Sequence, residues 1–255
     1  MLEALILGIV QGFTEFLPVS STAHLILFPW FFGWTGEVDT LSFDIALHTG
    51  TLIALFACFW RDWIELITKK QKLFGLIVLA SIPAGVAGYL LNNFAERALR
   101  DPLIISMMLV AVGFLMLIAE KANKYKDMEK TGLKDAIIIG IAQAIAIIPG
   151  VSRSGITISA GLFRGLKREA SARFSFLLST PIIAGATMLH FKKLITAQEN
   201  YNLQLFAIGL VTSYITGIVA IKFLLNFLKK HPLNVFVYYR FILAVVIIAG
   251  IWLKG

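Results

Sequence analysis

The sequence predicts an all-α polytopic membrane protein, with six transmembrane helices and two re-entrant helix–loop–helix hairpins in an inverted-topology repeat. Three observations carry that expectation. Of 255 residues, 58% are hydrophobic and only 15% charged, with a mean hydropathy of +0.82, well above the apolar share of a soluble domain. Six apolar runs, at 42–60, 73–92, 102–119, 174–190, 203–225 and 234–253, approach the roughly 20 residues that a hydrocarbon core of about 30 Å requires of a helix. Two further apolar segments, 2–33 and 133–163, are interrupted by LPVSST and PGVSRSG.

The interruptions predict the hairpins. Each half of a broken segment holds about 12 to 16 residues, too few to span at about 1.5 Å per residue, and proline with serine or glycine stops the helix between the halves. Non-helical backbone at membrane depth persists only where protein or a water-filled cavity surrounds it. The segments also resemble each other, GIVQGFTEFLPVSST at 8–22 matching GIAQAIAIIPGVSRS at 140–154. One hairpin plus three spans in each half turns the second half upside down relative to the first. The repeats are expected at 1–125 and 126–255 of one integral membrane domain, with KANKYKDMEK at 121–130 as the charged linker.

Charge orients the chain. With both hairpins re-entrant, sixteen Lys and Arg fall on one face and five on the other, whereas a spanning second segment gives twelve against nine. The positive-inside rule prefers the first arrangement and makes the sixteen-charge face cytoplasmic. Both termini and the first hairpin mouth are then expected on the outer side. The net charge of +8 is thereby read as topology, and with no basic aromatic platform it gives no nucleic-acid surface. The N-terminus lacks a basic n-region and is interrupted by Glu3, Gln11 and Glu15, so a removable signal peptide is not expected. Cys58, the one cysteine, forms no intrachain disulfide and reads as a packing thiol.

The chemistry gathers at the two interruptions. Gln11 and Glu15, four residues apart, share a helix face. Ser20, Ser21 and Thr22 follow Pro18 where the second half-helix begins, leaving backbone N–H groups that favour an anion. His24 follows within reach of the Ser21 hydroxyl, and Ser152, Arg153, Ser154 and Thr157 repeat the pattern in the second hairpin with a guanidinium added. Arg153 at membrane depth costs at least roughly 2.5 kcal/mol without a partner and therefore predicts an anion. Together these residue types suit a phosphate ester. A hard divalent cation bridges Glu15, with Gln11 beside it, to phosphate oxygens; Arg153 clamps other oxygens; Ser21 attacks with His24 as base. His48 is expected to pair with Asp44 one turn earlier, His190 and His231 to be interfacial, and Arg240 to snorkel from the last span.

With these motifs the chain resembles the bacitracin-resistance family of undecaprenyl-diphosphate phosphatases over essentially its whole length. The likeness includes GIVQGFTEFLPVSSTAHLIL, FDIALHTGTLIALFACFW, GIAQAIAIIPGVSRSGITIS and SARFSFLLSTPIIAGA. The family's (E/Q)xxxE motif falls on Gln11 and Glu15, its serine and histidine on Ser21 and His24, and its PGxSRS motif on Ser152 and Arg153. The resemblance implies hydrolysis of undecaprenyl diphosphate to the monophosphate, recycling the lipid carrier of cell-wall synthesis in the bacterial inner membrane. It also implies a divalent cation, Mg²⁺ or Ca²⁺, and is compatible with a homodimer. Gln11 in place of a glutamate leaves one anionic ligand fewer. The other membrane lipid-phosphatase pattern, KxxxxxxRP with PSGH and SRxxxxxHxxxD, does not occur. A polyprenyl-phosphate flippase or secondary transporter is the rival expectation, because broken helices in inverted repeats also build transporters.

Overall fold

A computed structural model of the chain describes residues 1–196 and 202–254, and the side chains of 92–98, 190–196 and 254 lie outside that description, among them His190. Ten α-helices make up the described fold: α1 (Leu2–Phe16), α2 (Ser21–Phe32), α3 (Leu41–Thr68), α4 (Gln71–Ala98), α5 (Pro102–Glu120), α6 (Leu133–Ile145), α7 (Arg153–Phe163), α8 (Arg168–Thr196), α9 (Leu203–Leu228) and α10 (Asn234–Lys254). Six of them, α3, α4, α5, α8, α9 and α10, are long and apolar enough to cross a membrane. Large apolar side chains such as Phe114, Ile242, Val245 and Trp252 point outward, a surface matched to lipid rather than water.

The long helices exceed the apolar runs that announce them. α3 continues to Thr68 and α8 begins at Arg168, because packing carries on where hydropathy stops: Leu66 and Ala172 are buried in the core. α3 also departs from helical geometry at Phe59 (φ −113°, ψ 16°).

The four short helices hold 15, 12, 13 and 11 residues and form two pairs, α1 with α2 and α6 with α7. Each break ends at a serine in the left-handed region: Ser20 (φ 76°) and Ser152 (φ 70°) are the only described non-glycine residues with positive φ. Both are N-caps, Ser20 Oγ accepting from the Ala23 N–H at 3.4 Å and Ser152 Oγ from the Gly155 N–H at 3.2 Å, so one strained turn with one cap recurs in the two matched stretches. Their glycines recur too. α1 crosses α9 where a Cβ on Gly8 would lie 2.9 Å from the Gly209 carbonyl, and α6 crosses α4 where a Cβ on Gly140 would strike the Ala80 carbonyl. Small residues let these backbones touch.

The breaks meet inside the bundle. α7 is buried almost throughout, against α5, α6 and α8, and Ser154 Oγ donates to the Leu17 carbonyl of the first turn at 3.1 Å. Arg240 completes the joint and corrects the expectation that it snorkels. It is fully buried, its guanidinium donating to the carbonyls of Pro18 (3.3 Å), Gly150 (2.8 Å) and Val151 (3.2 Å) in the two turns and of Met108 (3.2 Å) and Leu109 (3.0 Å) in α5. Broken helices free carbonyls, and here the two turns supply three of the five acceptors that this buried guanidinium meets.

Candidate active site

Glu15, in the last turn of α1, is the hub. Ser21 Oγ, at the start of α2, donates to its Oε2 at 2.7 Å, and Gln11 Nε2 donates to the same oxygen at 3.1 Å. From the other hairpin, Arg153 Nη2 stands 3.5 Å from Oε1, and from α3, His48 Nε2 stands 3.5 Å from Oε2. Residues far apart in the chain thus converge on one buried carboxylate, and the anion that Arg153 needs is the acid of the first hairpin. A carboxylate that accepts a serine hydroxyl hydrogen bond at this distance is within reach of that hydroxyl's proton.

The two histidines sit differently from their expected pairings. His24 Nδ1 bonds the Ser20 carbonyl at 2.7 Å and Nε2 bonds the Tyr239 hydroxyl at 2.7 Å, so its ring nitrogens are engaged away from Ser21 Oγ. A carbonyl only accepts, which puts the proton on Nδ1 and makes Nε2 the acceptor of the tyrosine O–H. His48 Nδ1 bonds the Asp44 main-chain carbonyl at 2.8 Å, not its carboxylate, leaving Nε2 toward Glu15. The Asp44 carboxylate lies 3.6 Å from Arg100 instead. Helical spacing fixes which side chains share a face, not which atom each will bond.

The remaining hydroxyls divide. Ser20 and Ser152 cap their helices. Ser154 joins Ser152 Oγ at 3.2 Å and the Leu17 carbonyl, while Thr157 turns to the Arg153 carbonyl and to Ser175 Oγ of α8 at 2.6 Å. Thr22 lines a cavity of about 280 Å³ between α3, α4, α6 and α8. Polar groups of Thr22, Asp44, His48, Arg100, Gln143, Arg153 and Thr187 line it together with Ile45, Ala84, Ile147 and Ile182. Arg153 Nη1 and both amide atoms of Gln143 are buried without a partner. Gln143, Tyr239 and Arg240 were not foreseen as part of the site; only Gln143 had a signal, its place opposite Gln11 in the matched stretches.

Two oxygen groups here would hold a cation. Gln11 Oε1 is buried and unpaired beside the Glu15 carboxylate, and among the described residues no three His, Cys, Asp or Glu side chains gather as a complete metal cage. The pair fits an ion that takes its other ligands from substrate and water, a habit of Mg²⁺ at phosphates, better than one needing six to eight oxygens, as Ca²⁺ does.

The model of the bacitracin resistance protein BacA family matches residues 4–246. A protein of Thermodesulfovibrio yellowstonii named undecaprenyl-diphosphatase is 59% identical over 247 residues, covering 97% of this chain and 96% of its own length. Proteins of the same name from Moorella thermoacetica and Desulforudis audaxviator are 47% and 45% identical, over 100% and 99% of this chain and 99% and 98% of theirs.

Proposed function

The chain belongs to the bacitracin resistance protein BacA family, and on that premise we propose that the two joined turns are the site at which it hydrolyses its lipid. The protein is a multi-pass membrane undecaprenyl-diphosphatase. It converts undecaprenyl diphosphate to undecaprenyl phosphate and inorganic phosphate, returning the carrier to cell-wall synthesis.

The observation that carries the site is the Ser21–Glu15–Arg153 constellation, assembled from both turns. Ser21 is the nucleophile. Its proton passes to Glu15 Oε2 as Oγ attacks the terminal phosphorus; the bond from that phosphorus to the bridging oxygen breaks, and the electron pair and the Glu15 proton leave with undecaprenyl phosphate. Glu15 then takes a proton from water, whose oxygen attacks the phosphoserine, and returns it to Ser21 as phosphate departs. Arg153 offers its unpaired Nη1 to phosphate oxygens, charge-assisted donation that strengthens as negative charge moves outward in the transition state. His24 holds the Ser20 carbonyl and so fixes the strained turn that presents Ser21. A divalent cation held by Gln11 Oε1 and Glu15 would neutralise charge on the diphosphate.

Both helix pairs are re-entrant hairpins of an inverted repeat, 1–125 and 126–255. Support comes from the recurring serine turns, the matched glycine crossings and the reciprocal packing of α1 on α9 and α6 on α4. The termini and the site mouth face the periplasmic side of the inner membrane, a reading supported by the sixteen-to-five charge division.

Sealed membrane vesicles and a water-soluble short-chain prenyl diphosphate test activity and orientation together. Right-side-out vesicles are expected to release inorganic phosphate and to stop on chelation of divalent cations, while inside-out vesicles stay silent. No release from either preparation would sink the hydrolytic site, and release from inside-out vesicles alone would reverse the orientation.

A further inference from the structure

Gln143 is a buried amide that the protein itself does not satisfy. It lies on α6, only 2% exposed, with neither Nε2 nor Oε1 bonded, a cost natural interiors rarely carry without a ligand or water to meet it. Its counterpart in the first hairpin explains the vacancy. Gln11 donates to Glu15 four residues on; four residues after Gln143 the chain has Ile147, so no acid waits there. The amide faces the cavity between α3, α4, α6 and α8 beside Arg153, whose Nη1 is likewise unpaired, and Thr187 Oγ1 on the same wall is a third orphan. The lining also holds the Asp44–Arg100 pair and His48, and its apolar part includes Ile147, Pro149, Ile182 and Ala186. A lining that sets polar groups beside an apolar wall suits an amphiphile's headgroup and first carbons.

We propose that Gln143 is a substrate-binding residue, its carboxamide N–H donating to the phosphate that stays on the prenyl chain, with the first isoprene units against the apolar wall. This rests on the hydrolytic reading of the Ser21–Glu15–Arg153 site. That site takes the terminal phosphorus, and Gln143 reads its neighbour. The first hairpin supplies its glutamine with an internal anion, and the second leaves the same place for the anion of the substrate.

Two near-isosteric variants, Gln143→Met and Gln143→Glu, assayed in detergent with a short-chain prenyl diphosphate, test the assignment. Met removes the orphaned amide, so the free protein is expected to unfold at the same temperature or higher, while KM rises about tenfold or more and kcat stays within about threefold. Glu keeps the shape but sets a carboxylate against phosphate, raising KM further, and it carries the test if Met disturbs folding. A packing role predicts the reverse order, with Glu the milder change. KM within about twofold of wild type in the folded variants, or a fall in kcat at constant KM, overturns the proposal. If that happens while Ser21→Ala and Arg153→Ala are inactive, this inference alone fails; if those two remain active, the hydrolytic site fails with it.

Discussion

A single guanidinium holds both turns of this molecule, and every hydrogen bond it donates goes to main chain. Arg240 meets the carbonyls of Pro18, Met108, Leu109, Gly150 and Val151, acceptors with no signature in a sequence, so residue type and position suggested only a snorkelling side chain. Glu15, Ser21 and Arg153 were legible because acid, hydroxyl and guanidinium are anomalies in an oily segment. The partners of His24 and His48 were not, since Tyr239 and the backbone compete with nearby side chains on equal terms. Arg240→Lys keeps the charge but exchanges a planar fork for three donors on a point charge. It is expected to lower stability in detergent by on the order of 3 kcal/mol, about two charge-assisted bonds, with Arg240→Leu worse. Wild-type denaturation curves for the lysine variant would mean that the carbonyl cage carries no load.

At the scale of elements, six long helices were plain in hydropathy, and the breaks were plain in proline, glycine and serine. The helix ends were not, because Leu66 and Ala172 are buried beyond the apolar runs. The crossing of α6 over α4 rests on Gly140, where an added methyl would meet Ala80 main chain, whereas Gly75 on α4 has open space around its Cβ position. Backbone cannot rotate away as a flexible side chain can. Gly140→Ala is therefore expected to destabilise by about 1–3 kcal/mol, and Gly75→Ala to be neutral or slightly stabilising, by up to about 1 kcal/mol, in parallel thermal unfolding of the purified proteins. Equal effects at the two positions would remove close packing as the reason for Gly140.

For the whole molecule, the likeness of 8–22 to 140–154 suggested two related halves, and charge suggested how they face the membrane. What neither reported is that the arginine of the second turn pairs with the acid of the first. The first turn brings the carboxylate and the serine, the second brings the arginine, and the contact pairs the buried Glu15 carboxylate with the half-buried Arg153 guanidinium at 3.5 Å. Such a pair is expected to act as one unit, so losses from removing its members should not multiply. The direct measurement is kcat/KM for undecaprenyl diphosphate in wild type, Glu15→Gln, Arg153→Ala and the double variant, each checked for folding. Each single change is expected to cost at least about a hundredfold, with the double variant close to the poorer single one. Near-full turnover in either single variant, or losses that multiply in the double, would contradict one site shared by the two turns.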